Sequence, residues 1–174
     1  MKLPQTVTLD TKTDELVIID QTRLPGELVF LRLSSLNEIC DAVKNLKVRG
    51  APAIGVAAAV GLYCLAARFE DVTEEGFLYS LERHASFINS MRPTAKNLSW
   101  ALNEMLNEAR HHRGEGIEIM KKALKARAIA IKKDDIKVCK SIGRFGARLL
   151  YDGDTVMTVC NAGALAAVEY GTAL

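Results

Sequence analysis

Three short stretches carry residue types from which a site for a charged small molecule can be built. The first, Arg49-Gly50-Ala51-Pro52-Ala53-Ile54-Gly55, sets one permanent positive charge and a glycine directly before a proline. Proline in the first turn of a helix gives up only an N–H that has no partner inside the helix. The neighbouring N–H groups and the helix dipole then favour an anion. The planar fork of Arg49 matches the oxygens of a phosphate. The second stretch is Arg92-Pro93-Thr94, where Thr94 is placed to cap a helix starting at Ala95 and Arg92 stands just outside it. The third is Cys160, which follows the β-rich run Thr155-Val156-Met157-Thr158-Val159 and precedes Asn161-Ala162-Gly163. A thiol at a helix N-terminus is biased toward thiolate, whereas burial among apolar groups reverses that bias. Each stretch also has a plainer reading: a packed loop-to-helix junction, a solvated loop arginine, an inert core cysteine. Two arginines at two helix starts, with one thiol at a strand end, describe a sugar-phosphate pocket without identifying the sugar.

Composition narrows the classes of partner. The 174 residues are 49% hydrophobic and 25% charged with a net charge of +2, enough for one good core or for one domain and part of another. That charge creates no basic field for nucleic acid, and the lysines and arginines between Lys121 and Lys133 read as the solvated face of a helix. Anion recognition therefore falls to a few local arginines. The 4 cysteines, Cys40, Cys64, Cys139 and Cys160, show no close pairing, and the N-terminus carries no basic-then-apolar signal, which points to free thiols in a reducing cytoplasm. Of the 3 histidines, His84 is isolated and His111-His112 are adjacent, a poor basis for a metal site. The uncharged run from Ala51 to Ala67 approaches the roughly 20 residues needed to cross a bilayer. It is mostly alanine and glycine and ends at Arg68, so it reads as a buried helix rather than a membrane span.

Around these stretches the chain predicts an α+β fold. Thr6–Leu9, Leu16–Ile19 and Leu28–Leu31 form a small antiparallel meander, with a polar turn at Asp10–Asp14 and Pro25-Gly26 before the third strand. A helical bundle follows. Ser35-Leu36-Asn37-Glu38 fits a capping box ahead of the stripe Leu36, Ile39, Val43, Leu46. Thr73 caps a helix whose Phe77, Leu81, Ala85 and Ile88 share a face, and Leu98, Ala101, Leu102, Met105, Leu106 and Ala109 keep helical spacing up to Gly114. Two more helices are expected, over 117–131 and 134–150. From Asp152-Gly153 onward the pattern becomes strand, tight turn and alanine-rich helix, the opening unit of a parallel Rossmann-like sheet. Such a sheet needs further strands, which divides the chain into a β-meander and helical domain at 1–150 and the start of a second domain at 151–174.

The segment Val48-Arg49-Gly50-Ala51-Pro52-Ala53-Ile54-Gly55-Val56-Ala57-Ala58-Ala59 resembles the N-terminal signature of the methylthioribose-1-phosphate isomerase family. Asp20-Gln21-Thr22 with Leu24-Pro25-Gly26-Glu27, then Arg92-Pro93-Thr94-Ala95 with Asn97-Leu98 and Trp100-Ala101-Leu102, and finally Gly153-Asp154-Thr155 with Cys160-Asn161-Ala162-Gly163-Ala164-Leu165-Ala166, follow in the same order. The resemblance runs from about Ile18 to Leu174. It extends to a wider group that includes regulatory subunits of the translation-initiation exchange factor and ribose-1,5-bisphosphate isomerase. It implies an N-terminal β-plus-helical domain joined to a Rossmann-like domain, homodimeric when full length, cytoplasmic and acting in methionine salvage. The implied reaction converts an aldose 1-phosphate to a ketose 1-phosphate with no metal or organic cofactor. By position, Arg49, Gly50 and Ala51 contact substrate, Arg92 binds its phosphate and Cys160 is the catalytic thiol. Two departures stand out: Val159 replaces a histidine often found before the cysteine, and the partner aspartate of the family falls outside the chain. The chain alone is therefore expected to be inactive. The alternatives are a non-catalytic regulatory subunit, or a related isomerase of ribose bisphosphate or deoxyribose phosphate.

Overall fold

The computed structural model describes residues 4–172. Three strands, β1 (Val7–Asp10), β2 (Glu15–Ile19) and β3 (Phe30–Leu33), form an antiparallel meander in the order β1-β2-β3. The sequence reading is right in kind, and β3 begins two residues later than expected. Its register places Val7 opposite Ile18 and Leu16 opposite both Leu9 and Leu33, so one face is apolar and buried. On the other face Thr8, Val17 and Arg32 align, and Arg32 reaches Asp10 and Glu15 at 2.8 and 2.7 Å.

Five helices follow: α1 (Leu36–Lys44), α2 (Ala51–Ala66), α3 (Glu74–Ser90), α4 (Lys96–His111) and α5 (Ile117–Gly146). The capping box at Ser35 and Glu38 and the cap at Thr73 form as their spacing requires. α2 is the centre of the molecule, buried from Ala53 to Ala66 and packed against the sheet and the other helices. Its glycines set those distances. A Cβ on Gly55 would stand 2.9 Å from the carbonyl oxygen of Asn97, and one on Gly61 would stand 3.1 Å from Cγ2 of Ile39. Small residues thus let backbones approach where larger ones would force the helices apart. Among the described residues, no helix is long and apolar enough to cross a membrane.

Four expectations need correction. The two helices predicted over 117–131 and 134–150 are one continuous α5, because nothing between Ile131 and Asp134 interrupts it; a 3₁₀ turn at Ala147–Leu149 ends it. Leu46 belongs to the turn after α1, with φ of 58°, and is exposed. Ala95, not Thr94, is the N-cap of α4, since the Ala95 N–H donates to the Arg92 carbonyl and the turn runs one residue further. The strand expected at Thr155–Val159 and the helix after it are not formed. Residues 151–160 are exposed without regular structure, and only a 3₁₀ turn at Ala164–Ala166 follows. A lone β-rich segment has no ladder to join among the described residues, and its exposure leaves the backbone open to solvent. Residues 173 and 174 of the expected helix lie outside the described residues.

Candidate functional site

The loop after α1 delivers the first arginine. Val48 is buried and anchors this loop through its N–H to the Ala42 carbonyl at 3.3 Å, which leaves Arg49 exposed beside it. Gly50 is the N-cap of α2 at φ of 96°, a conformation that favours glycine. A second constraint acts there: a Cβ would stand 2.5 Å from the carbonyl oxygen of Ala166. Pro52 lies in the first turn, and no side chain caps the helix. The amides of Ala51 and Ala53 thus have no acceptor among the described residues.

Arg92 sits in the turn between α3 and α4. The first turn of α4 likewise has no side-chain cap, and the Gly55–Asn97 contact lays it beside the first turn of α2. The two uncapped helix starts are therefore neighbours. A cleft of about 220 Å³ opens there between Pro52, Gly55, Asn97 and Trp100 on one side and Asp134, Asp135 and Val138 on the other. A wider groove of about 580 Å³, between α1 and the Arg83–Ser90 end of α3, contains neither helix start.

The starts of α1 and α3 hold an oxygen acceptor of their own, Ser35 with Glu38 and Thr73, whereas α5, like α2 and α4, has no side-chain cap. The Glu74 carboxylate accepts from Gly114 N–H at 2.7 Å and Gly116 N–H at 2.6 Å in the loop that leads into α5. The arginines divide the same way. Among the described residues, Arg23, Arg32, Arg110, Arg113 and Arg127 meet carboxylates, and Arg68 donates to backbone carbonyls. Arg83, Arg144 and Arg148 lie over aromatic rings. Arg49 has only the Gln21 amide oxygen, at 3.4 Å, and Arg92 has no such partner.

Cys160 does not sit at a strand end. It is exposed at φ of 80°, a few residues before the 3₁₀ turn. Cys40, Cys64 and Cys139 are buried in helices, as their positions suggest, and burial pushes the Cys64 thiol up to about 12. The turn after Cys160 is fastened from three directions: Thr6 Oγ1 donates to the Ala164 carbonyl at 2.8 Å, Gln21 Nε2 donates to the Leu165 carbonyl at 2.8 Å, and the Val168 N–H donates to Asp135 at 2.8 Å. Arg49 is joined to this turn through Gln21, and Gly50 packs against Ala166. Arg92 lies at the adjoining helix start, and no hydrogen bond among the described residues links it to Arg49 or Cys160. Sequence reasoning from spacing assigned no role to Thr6, Gln21 or Asp135. Gln21 stands in the stretch Asp20-Gln21-Thr22 that carries the resemblance, but with no role attached; Thr6 and Asp135 are single polar residues beside an apolar strand and within a helix. Among the described residues, no cluster of three or more His, Cys, Asp or Glu could hold a metal ion.

Residues 47–171 match the model of the initiation factor 2 subunit family. The chain is 44% identical over 167 residues to a methylthioribose-1-phosphate isomerase of Trichlorobacter lovleyi, covering 96% of this chain and 48% of that protein. It is 45% identical over 157 residues to a 5-deoxyribose 1-phosphate isomerase of Moorella thermoacetica, covering 90% and 45%. The crystal structure of 5-methylthioribose 1-phosphate isomerase from Pyrococcus horikoshii superposes with a TM-score of 0.91 at 36% identity over 98% of this chain and 47% of that one. That of translation initiation factor eIF-2B subunit delta from A. fulgidus superposes with a TM-score of 0.85 at 37% identity, over 97% and 48%. The chain spans about half the length of the curated relatives it matches.

Proposed function

The chain belongs to the initiation factor 2 subunit family, and from that premise we propose that it supplies the phosphate grip and the reactive thiol of an aldose–ketose isomerase. The substrate is 5-methylthioribose 1-phosphate and the product 5-methylthioribulose 1-phosphate, a step of methionine salvage. The observation that carries this reading is the pair of neighbouring helix starts left without internal acceptors, each flanked by an arginine with no carboxylate partner among the described residues. Free N–H groups and guanidinium forks together make an anion site. The names of the relatives supply the sugar.

A phosphate on the anomeric carbon blocks spontaneous ring opening. The site must therefore protonate the ring oxygen and move hydrogen from C2 to C1, either through an enediol or as a hydride, and a general acid is needed in both cases. In this reading Arg49 and Arg92 hold the phosphate with the amides of Ala51 and the first turn of α4, and Gly50 keeps that backbone close. Cys160 acts at the sugar carbons. The acid belongs to the second half that the longer relatives carry, with residues 151–174 opening that domain. The 174 residues alone are accordingly inactive, and the complete enzyme works as a cytoplasmic homodimer.

The Moorella relative favours a second reading within the same chemistry, a 5-deoxyribose 1-phosphate substrate. The likeness to the eIF-2B subunit favours a non-catalytic role instead, but such a protein has no chemical use for Cys160. The protein as its gene encodes it should be assayed with both sugar phosphates. Cys160→Ala should abolish turnover while phosphate affinity stays within about two-fold, since the thiol is not part of the anion grip. Turnover that survives the substitution removes the cysteine from the mechanism, and no turnover of either sugar by the parent protein removes the isomerase reading.

A further inference from the structure

We propose that Gln21 is a positioning residue that sets the Arg49 guanidinium and the turn after Cys160 in one fixed relation. This rests on the reading of Arg49 as a phosphate ligand. Gln21 lies in the turn two residues after β2 and is 3% exposed, and its own N–H donates to the Lys47 carbonyl at 2.9 Å, which fixes its backbone to the loop that carries Arg49. Its side-chain amide then works in both directions. Nε2 donates to the Leu165 carbonyl at 2.8 Å and, more weakly, to the Arg49 carbonyl at 3.5 Å, while Oε1 accepts from Nε of Arg49 at 3.4 Å. One planar group therefore touches the side chain of Arg49, its backbone, and the turn against which Gly50 is pressed.

The chemistry selects an amide. A carboxylate at the same place could accept from Arg49 but would face the Leu165 carbonyl with no proton to donate. A thioether could do neither, and asparagine is one methylene too short to span both. Burial sharpens the argument. The buried polar side chains among the described residues are Thr6, Asp20 and Gln21, and two of them, Thr6 and Gln21, end on carbonyls of this one turn. Buried polar groups are costly unless satisfied, and two bonds aimed at adjacent carbonyls define a geometry more sharply than apolar packing does. Thr6 holds the turn from the residue just before β1, and its hydroxyl has no hydrogen bond to Arg49. Gln21 adds the link to the arginine.

That difference provides the test. Thr6→Val and Gln21→Met each remove one hydrogen bond to the turn, so both should lower Tm by a similar amount. Inorganic phosphate binding, measured by calorimetry on the protein as its gene encodes it, should separate them. Gln21→Met should weaken binding about ten-fold, because the guanidinium loses its orienting acceptor, while Thr6→Val stays within about two-fold of the parent. Gln21→Glu should weaken phosphate binding at about pH 8 at least as much as Gln21→Met, because a carboxylate pairs with Arg49, repels phosphate and cannot donate to the Leu165 carbonyl. Equal loss of phosphate affinity in Thr6→Val and Gln21→Met overturns the proposal, as does unchanged affinity in Gln21→Met or in Gln21→Glu. Absence of phosphate binding by the parent overturns the reading of the anion site itself, and the role of Gln21 with it.

Discussion

Two aspartates show how a single carboxylate can either support or tax this fold. At Asp14, burial raises the carboxyl, but hydrogen bonds from Lys125 and Tyr63, each at 2.8 Å, outweigh it and the net shift is downward. Its contribution is complete above the ordinary aspartate range near 4 and is lost as pH falls through the lowered folded value. At Asp135 burial also raises the carboxyl, and the single N–H of Val168 only partly opposes it. The sign is then reversed: the folded state binds the proton more readily than the unfolded chain, so stability falls as pH rises from about 4 through the raised value. Asp135→Asn keeps an oxygen for Val168 and removes the charge. It should show a higher Tm than the parent at pH 7, with the difference shrinking toward pH 4; calorimetric melts at several pH values check this. A difference that grows toward pH 4 would reverse the assignment.

The helix starts are where element-scale chemistry concentrates. Glu74 belongs to the first turn of α3, yet its carboxylate bonds the N–H groups of Gly114 and Gly116 at the head of α5. One side chain thus joins two helices distant in sequence. Glu74→Ala should destabilise the protein by about 1–2 kcal/mol, the range for lost hydrogen bonds to a charged group, and urea unfolding would measure it. Loss below a few tenths would mean that water replaces the carboxylate without cost. Caps that use residues adjacent in sequence, Ser35 with Glu38 and Thr73 with Gly76, were legible from the chain. The Glu74 link was not, because no local pattern connects residue 74 to residue 116. The same division runs through the candidate site. The glycine and proline at the head of α2 announced a helix start, and its burial followed from an uncharged run of small residues. Gln21, Thr6 and Asp135 act on residues 164–168 across the fold, and a single polar residue near an apolar run gives no hint of such a target. The β-rich pattern at 155–159 is real as a propensity, but strands are made by pairing and the described residues offer no partner.

Across the whole molecule, burial is uneven along the chain. α2 lies inside a shell made by the sheet, α3, α4 and the first half of α5, whereas beyond Ile131 only Cys139 of α5 is buried. Apolar side chains then accumulate on the surface: Phe145, Leu149, Tyr151, Val156, Met157 and Val159, the last two 95% and 90% exposed. The backbone from Tyr151 to Cys160 has no ladder to protect it, so chymotrypsin should cut there before it cuts any helix. Mass spectrometry of a brief digest should find cleavage after Tyr151 or Met157, with circular dichroism of the nicked protein nearly unchanged. First cuts inside α3 or α4 would contradict this distribution of order.

The bond from the Thr6 N–H to the Val168 carbonyl, 3.1 Å long, ties the residue just before β1 to one from the far end of the described chain. During synthesis the ribosome releases β1 long before residue 168, so this end of the nascent sheet waits without that partner while every helix is made. An open edge of that kind recruits other strands. Translation pauses or early stops between Leu149 and Gly163 would therefore yield a species whose danger is aggregation rather than instability, even though its helical core is already in place.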